Sequence, residues 1–140
     1  MRCVTLVAVF ALHASPPAQV EWNRIVPTGG PGVRECHALA YDSARDRIVL
    51  FGGANAHFET HRDTWEWDGS QWLEMNPVSS PVPRYGHAMV YDSDRGVVVL
   101  FGGQDTGGTS VRDTWEWDGN NWTKRNPPIR PAARTDHTLA

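Results

Sequence analysis

Arg34, Arg84 and Arg134 each stand three residues before a histidine, His37, His87 and His137, and successive pairs are fifty residues apart. Such sets invite a catalytic reading, but their recurrence points elsewhere. A catalytic group is needed once, whereas a hydrogen bond that holds a scaffold is needed in every structural unit. Asp63 and Asp113, Glu66 and Glu116, and Asp68 and Asp118 recur in the same way and are read as scaffold too. The pairs Gly52-Gly53 and Gly102-Gly103 lack the strand-to-helix setting of a phosphate-binding loop. Cys36 has Gly86 and Asp136 as counterparts one and two periods on, so it is read as a small residue rather than a nucleophile.

Chemical individuality is confined to two segments. Ala54–His61 (ANAHFETH) and Gln104–Val111 (QDTGGTSV) occupy the same place in the period yet agree at no position. His57, Glu59 and His61 carry imidazoles and a carboxylate, which are metal-ligand chemistry. A spacing of two on a loop is unspecific, however, and they are read as exposed loop residues with no metal or other cofactor assigned. The candidate ligand-binding residues are therefore Asn55, His57, Glu59 and His61 in the first loop and Gln104, Asp105 and Thr106 in the second, with no catalytic residue. Binding surfaces can be assembled from scattered polar groups on variable loops, whereas catalysis needs a nucleophile or metal with supporting residues.

The elements that position these loops follow from the repeat. Arg34–Pro77 aligns with Arg84–Pro127 without a gap and agrees at 23 of 44 positions, including YDS, VLFGG, RDTWEWDG and NP; Trp22, Trp72 and Trp122 fall in register. A repeat of this length marks one supersecondary unit whose apolar faces are covered by its neighbours. Each unit reads as four strands. In the second these are His87–Tyr91, the wholly apolar Val97–Phe101, the alternating Thr114–Asp118 and a short strand Asn121–Lys124. Asp92–Gly96 and Asp118-Gly119 supply reversals, the latter where a tight hairpin demands positive φ. An apolar second strand must be covered on both faces, as in a propeller blade between two others. Trp115 and Trp117 share a face and should pack blade against blade.

Arg-x-x-His, an apolar strand ending in diglycine, an aromatic strand and a final Trp resemble the kelch repeat of galactose-oxidase-like propellers, over residues 22–140. The resemblance implies that His37–Tyr41 and His87–Tyr91 line the axis, with Arg47–Phe51 and Val97–Phe101 next and Trp72 and Trp122 at the rims. The expected fold is thus all-β: an incomplete kelch-type β-propeller of about two four-stranded antiparallel blades plus flanking strands. The organisation is an outer strand at 21–25, blades at 34–75 and 84–125, and the start of a further blade at 134–140. A propeller needs at least four blades, or about 200 residues at this period, so the chain is expected to be a fragment whose partners include the remaining blades of its parent.

Composition narrows the function. The 140 residues carry a formal charge of −3, with 13 Lys and Arg scattered among 16 Asp and Glu, and no basic stripe suited to nucleic acid. Seven Trp, 13 Gly and 10 Pro fit many short strands and turns. Residues 1–18 read as a signal peptide: Arg2, the apolar run Val4–Leu12 and a small-residue cleavage site near Ala14. That run is shorter than the ~20 residues of a spanning helix, so membrane insertion is not expected, and the destination is secreted or periplasmic. Loss of Cys3 with the signal would leave Cys36 without an internal disulfide. The expected function is a non-enzymatic protein- or glycan-binding module acting through its variable loops. Two alternatives stand beside it, the first of them implied by the resemblance. One is a fragment of a copper oxidase, although no motif pairs Tyr41, Tyr85 or Tyr91 with Cys36; the other is a truncated product with no ligand of its own.

Overall fold

A computed structural model describes residues 29–140. The signal peptide expected at 1–18 and the outer strand expected at 21–25, with Trp22, lie outside the described residues. The described residues form ten strands and no helix: β1 (Ala38–Asp42), β2 (Arg47–Phe51), β3 (Thr64–Trp67), β4 (Trp72–Met75), β5 (Arg84–Tyr85), β6 (Ala88–Asp92), β7 (Val97–Phe101), β8 (Gln104–Asp105), β9 (Thr114–Trp117) and β10 (Trp122–Arg125). Two antiparallel four-stranded meanders result, β1-β2-β3-β4 and β6-β7-β9-β10. Their registers are identical: Phe51 pairs with Ala38 and Thr64, and Phe101 with Ala88 and Thr114. The short pair β5-β8 was not foreseen; the first repeat has only an isolated bridge, Glu35 to Ala54, in its place.

Turn chemistry closes each meander. Asp42 accepts hydrogen bonds from the amides of Ala44 and Arg45, and Asp68 from those of Ser70 and Gln71, so the side chain supplies the turn's missing acceptor. Gly69 and Gly119 adopt φ of 95° and 96° in the two Asp-Gly hairpins.

The sheets approach most closely at β1 and β6, as expected of inner strands around an axis. Toward the outer strands the gap between them is filled by indoles. Trp117 and Trp122 are both 1 % exposed, and Trp122 meets Phe51 edge-on at 5.3 Å. Their N–H groups cross the interface: Trp117 donates to Glu66 at 2.8 Å and Trp122 to Thr64 at 2.9 Å. Burying an indole leaves its N–H in need of an acceptor, and the preceding blade provides one each time. Trp122 does lie on the outermost strand, but its ring is buried between the blades rather than at a solvent rim. Ala38, Ala40, Val49 and Met89 complete the core, with Trp115 9 % exposed on the same face as Trp117.

The diglycines and the Arg-x-x-His segments join blade to blade. The Gly53 amide donates to the Arg84 carbonyl at 2.9 Å, and the Gly103 amide to that of Arg134 at 2.9 Å. At Gly52, whose φ is +62°, a Cβ would lie 2.7 Å from the Arg84 carbonyl oxygen. Gly52→Ala is accordingly expected to cost about 2 kcal/mol, from left-handed strain and the backbone clash together. Gly69→Ala, at φ +95° but with nothing within 4 Å of its Cβ, should cost only about half as much. Urea unfolding of the two variants checks the difference.

Cys36 is explained by its backbone rather than its size. Cys36, Gly86 and Asp136 all have positive φ, at 54°, 64° and 54°. The Gly86 amide donates to the Cys36 carbonyl and the Asp136 amide to the Gly86 carbonyl, both at 2.8 Å. One left-handed residue per repeat thus links successive blades at their inner edge.

Candidate functional site

The two variable loops emerge where the Arg-x-x-His segments enter the blades. They share no residue, yet their backbones follow one hydrogen-bond plan. The Asn55 amide donates to the Glu59 carbonyl and the Asp105 amide to that of Thr109. The Phe58 amide closes on the Asn55 carbonyl, the Gly108 amide on that of Asp105, and the His61 and Val111 amides return to Gly53 and Gly103. Asn55 Oδ1 accepts from the His57 and Glu59 amides, as Asp105 Oδ1 does from Gly107 and Thr109. Asn and Asp are interchangeable in this role, each bringing one short acceptor to the loop's own amides. The divergence is one of side chains on a common frame.

That frame sorts the candidate residues. Asn55 and Asp105 fold the loops, and Asn55 Nδ2 also donates to the Glu59 carboxylate at 2.6 Å. Gln104 is engaged by the Tyr85 hydroxyl at 2.5 Å and donates to the Gly108 carbonyl. The Thr106 and Thr60 hydroxyls are 2.8 Å apart, so the two loops touch. His61 adds slightly to the forces on Asp63, whose carboxyl is pushed up by burial but held below its usual range by Arg34 and Trp65. His57 is exposed and Glu59 likewise. Among the described residues no group of three His, Cys, Asp or Glu converges on a point that a metal could occupy. Tyr41 and Tyr85 give their hydroxyls to different partners, Asp46 and Gln104.

The linker from β4 to the second blade divides its contacts. Ser80 donates to the Arg62 carbonyl and the Arg84 amide to that of His61, which puts its second half beside the loops. The Ser79 amide instead donates to Asn121 Oδ1, and its carbonyl accepts from the Trp122 amide, along the outer strand of the next blade.

Sequence reasoning missed Phe58. This residue sits at the loop tip with φ +60° and 80 % of its surface exposed. A non-glycine residue in the left-handed region carries strain, and here no packing repays it. The register held a signal for it: Gly108 is its counterpart and has φ +78°. A position that is glycine in one repeat and aromatic in the next marks a turn whose tip has been given a side chain. Val33 and Val82, 97 % and 49 % exposed, flank the arginines that enter each blade near the same end.

Below the loops lies a fixed base. The guanidinium of Arg34 donates to the Gly52 carbonyl and to both oxygens of Asp63; that of Arg84 donates to Gly102 and both oxygens of Asp113. Trp65 and Trp115 donate to the same aspartates from the next strand. Both loops are therefore clamped where they leave β2 and β7 and where they enter β3 and β9. The recurring Arg and Asp are scaffold, and their bonds show what they hold.

No curated protein matches the chain. The family described as the KLHDC2/KLHL20/DRC7 Kelch-repeats domain matches residues 8–140. Its extent includes both meanders, their clamped loops and the segment that follows them. The chain belongs to the kelch-repeat family, whose propellers serve as protein-binding modules.

Proposed function

We propose that the chain is a non-catalytic recognition module that grips a protein partner with its loop end, Phe58 being the anchor. The observation that carries this is the exposed, left-handed Phe58 on a loop pinned by Asn55. Aromatic side chains dominate binding energy at protein interfaces, and a rigid tip loses little entropy on docking. His57, Glu59 and Thr106 surround the anchor as a polar rim. A protein is preferred over a glycan because the end is dotted with exposed Phe58, Val33 and Val82. We further propose export, directed by residues 1–18, which a reporter fused behind Ala14 would test through its accumulation outside the cytoplasm.

Phe58→Gly separates binding from folding. It should raise stability by roughly 1 kcal/mol by removing left-handed strain, while capture of the partner, identified by photo-crosslinking from position 58, falls at least about tenfold. Undiminished capture would remove the anchor. Crosslinks to glycan alone would move the reading to carbohydrate.

A further inference from the structure

Asn121, Trp122 and Thr123 follow the second Asp-Gly hairpin, and their order, Asn-x-Thr, is the acceptor pattern for an N-linked glycan in an exported chain. No other asparagine in the sequence has Ser or Thr two residues on. The counterparts in the first repeat are Gln71, Trp72 and Leu73. The tryptophan is kept, and the two positions that differ are the two that the pattern requires. A three-residue pattern is unspecific by itself; what distinguishes this one is where the fold puts its atoms.

Asp118 Oδ1 accepts from the amides of Asn120 and Asn121, both at 2.8 Å, and so fixes the turn from which Asn121 projects. Asn121 Oδ1 accepts from the Ser79 amide at 2.9 Å, which orients the side-chain amide. Oxygen and nitrogen are separate branches of one planar group, so holding Oδ1 on the linker turns Nδ2 away from it. Asn121 is half-buried, and its Nδ2 makes no hydrogen bond among the described residues. Nor is it one of the buried polar atoms without a partner, which among the described residues are histidine nitrogens alone. A nitrogen that is neither bonded nor buried meets water. Trp122 between the two pattern residues is 1 % exposed and donates to Thr64, so the segment is anchored, and Thr123 is exposed. β9 runs from Thr114, beside the loops, to Trp117, which puts the hairpin at the end opposite Phe58.

We infer that Asn121 is the attachment site of an N-linked glycan, added at Nδ2 as the chain is exported; this rests on the export read from residues 1–18. The donor is an oligosaccharide activated as a lipid-linked glycosyl diphosphate. The bond between its anomeric carbon and the diphosphate oxygen breaks, with the electron pair leaving on that oxygen. A bond from the anomeric carbon to Nδ2 forms, and Nδ2 gives up one proton. Oδ1 keeps its lone pairs, so the bond from the Ser79 amide survives the modification. A bulky, hydrated glycan at this hairpin leaves the recognition end uncovered.

The full chain expressed in a eukaryotic secretory host tests this, once behind its own residues 1–18 alone and once with the host's leader added in front. The chain with the host's leader should carry one glycan, seen as a mass shift that an N-glycan-releasing amidase abolishes while converting Asn121 to aspartate. Asn121→Asp keeps the acceptor for Ser79 but offers no amide nitrogen, and should lose the shift entirely. At the exposed Thr123, Thr123→Ala should lose the shift and Thr123→Ser retain it. A wild-type chain that carries no glycan behind the host's leader, or a shift that persists in Asn121→Asp or Thr123→Ala, would overturn the site. Glycan present behind the host's leader but absent behind residues 1–18 alone would leave the site standing and remove the export reading instead.

Discussion

Replacing Arg84 with glutamine is expected to destabilise the chain by about 3–5 kcal/mol, the cost of leaving one partner of a buried ion pair without the other. The Arg84 side chain has no exposed surface, and its guanidinium meets Asp113 at 2.7 and 3.0 Å and the Gly102 carbonyl at 2.9 Å. Burial pushes the Asp113 carboxyl up, but the bonds from Arg84 and Trp115 outweigh this and hold it below its usual range. Without Arg84 that carboxylate keeps only the indole and the distant Lys124, at 4.0 Å. Three segments come loose together: the entry to the second blade, the end of β7 and the start of β9. Since domains of this size have only about 5–15 kcal/mol of net stability, the variant should be largely unfolded under mild denaturant. Arg95→Gln is the control for Asp92, because Arg95 is 52 % exposed and exposed pairs contribute about 0–1 kcal/mol. Its bond to the buried Glu116 makes Arg95→Gln somewhat costlier than an isolated surface pair. Urea titrations that place Arg84→Gln within about 1 kcal/mol of the wild-type chain would show that the clamp is not what holds the blades.

The strands were legible because their causes are local. Val97–Phe101 is apolar throughout, with Val98, Leu100 and Phe101 buried and Val97 and Val99 half-buried, and Asp118-Gly119 turns because glycine takes positive φ without a clash. The fifty-residue spacing of His37, His87 and His137 marked the repeat, but the scaffold hydrogen bonds expected of them are not made by their rings, and His87 and His137 instead pack edge-on against Phe51 and Phe101. What was not legible depends on the neighbouring blade or on backbone geometry hidden by side-chain type. The Trp117 and Trp122 N–H groups find acceptors 51 and 58 residues away, at a distance no window along the chain can sense. Cys36, Gly86 and Asp136 look unrelated as residues, yet share one left-handed conformation. The loops hid their likeness in the same manner: they share no residue, yet Asn55 and Asp105 accept the same pair of loop amides. Phe58 could be found only by asking why Gly108 stands opposite it.

Acidification from pH 6.5 toward 4.5 is expected to weaken folding by about tenfold per pH unit for each histidine that must remain neutral, and His87 should dominate. Burial, with the Arg84 guanidinium beside it, lowers His87 from 6.5 to about 3. Burial and an arginine lower His37 and His137 as well. The Phe51 carbonyl lies near enough to favour the charged His87 ring weakly, but neither ring nitrogen of any of the three finds a hydrogen bond of good geometry. The folded chain therefore holds His87 neutral while the unfolded chain protonates it below 6.5. The neutral ring's full contribution is present above that pH and is lost progressively as pH falls toward about 3. Asp63 and Asp113, held low by their arginines, add acid sensitivity only below the usual carboxylate range near 3.8. The window from 6.5 to 4.5 thus isolates the histidines. His87→Asn removes the titrating group from between Phe51 and Gly52; it lowers stability at neutral pH through lost packing, yet its stability should fall less steeply with acid, by the equivalent of one proton. Urea unfolding free energies measured across that window give the slopes directly, and equal slopes for His87→Asn and the wild-type chain would show that His87 is not the buried neutral group on which the acid response depends.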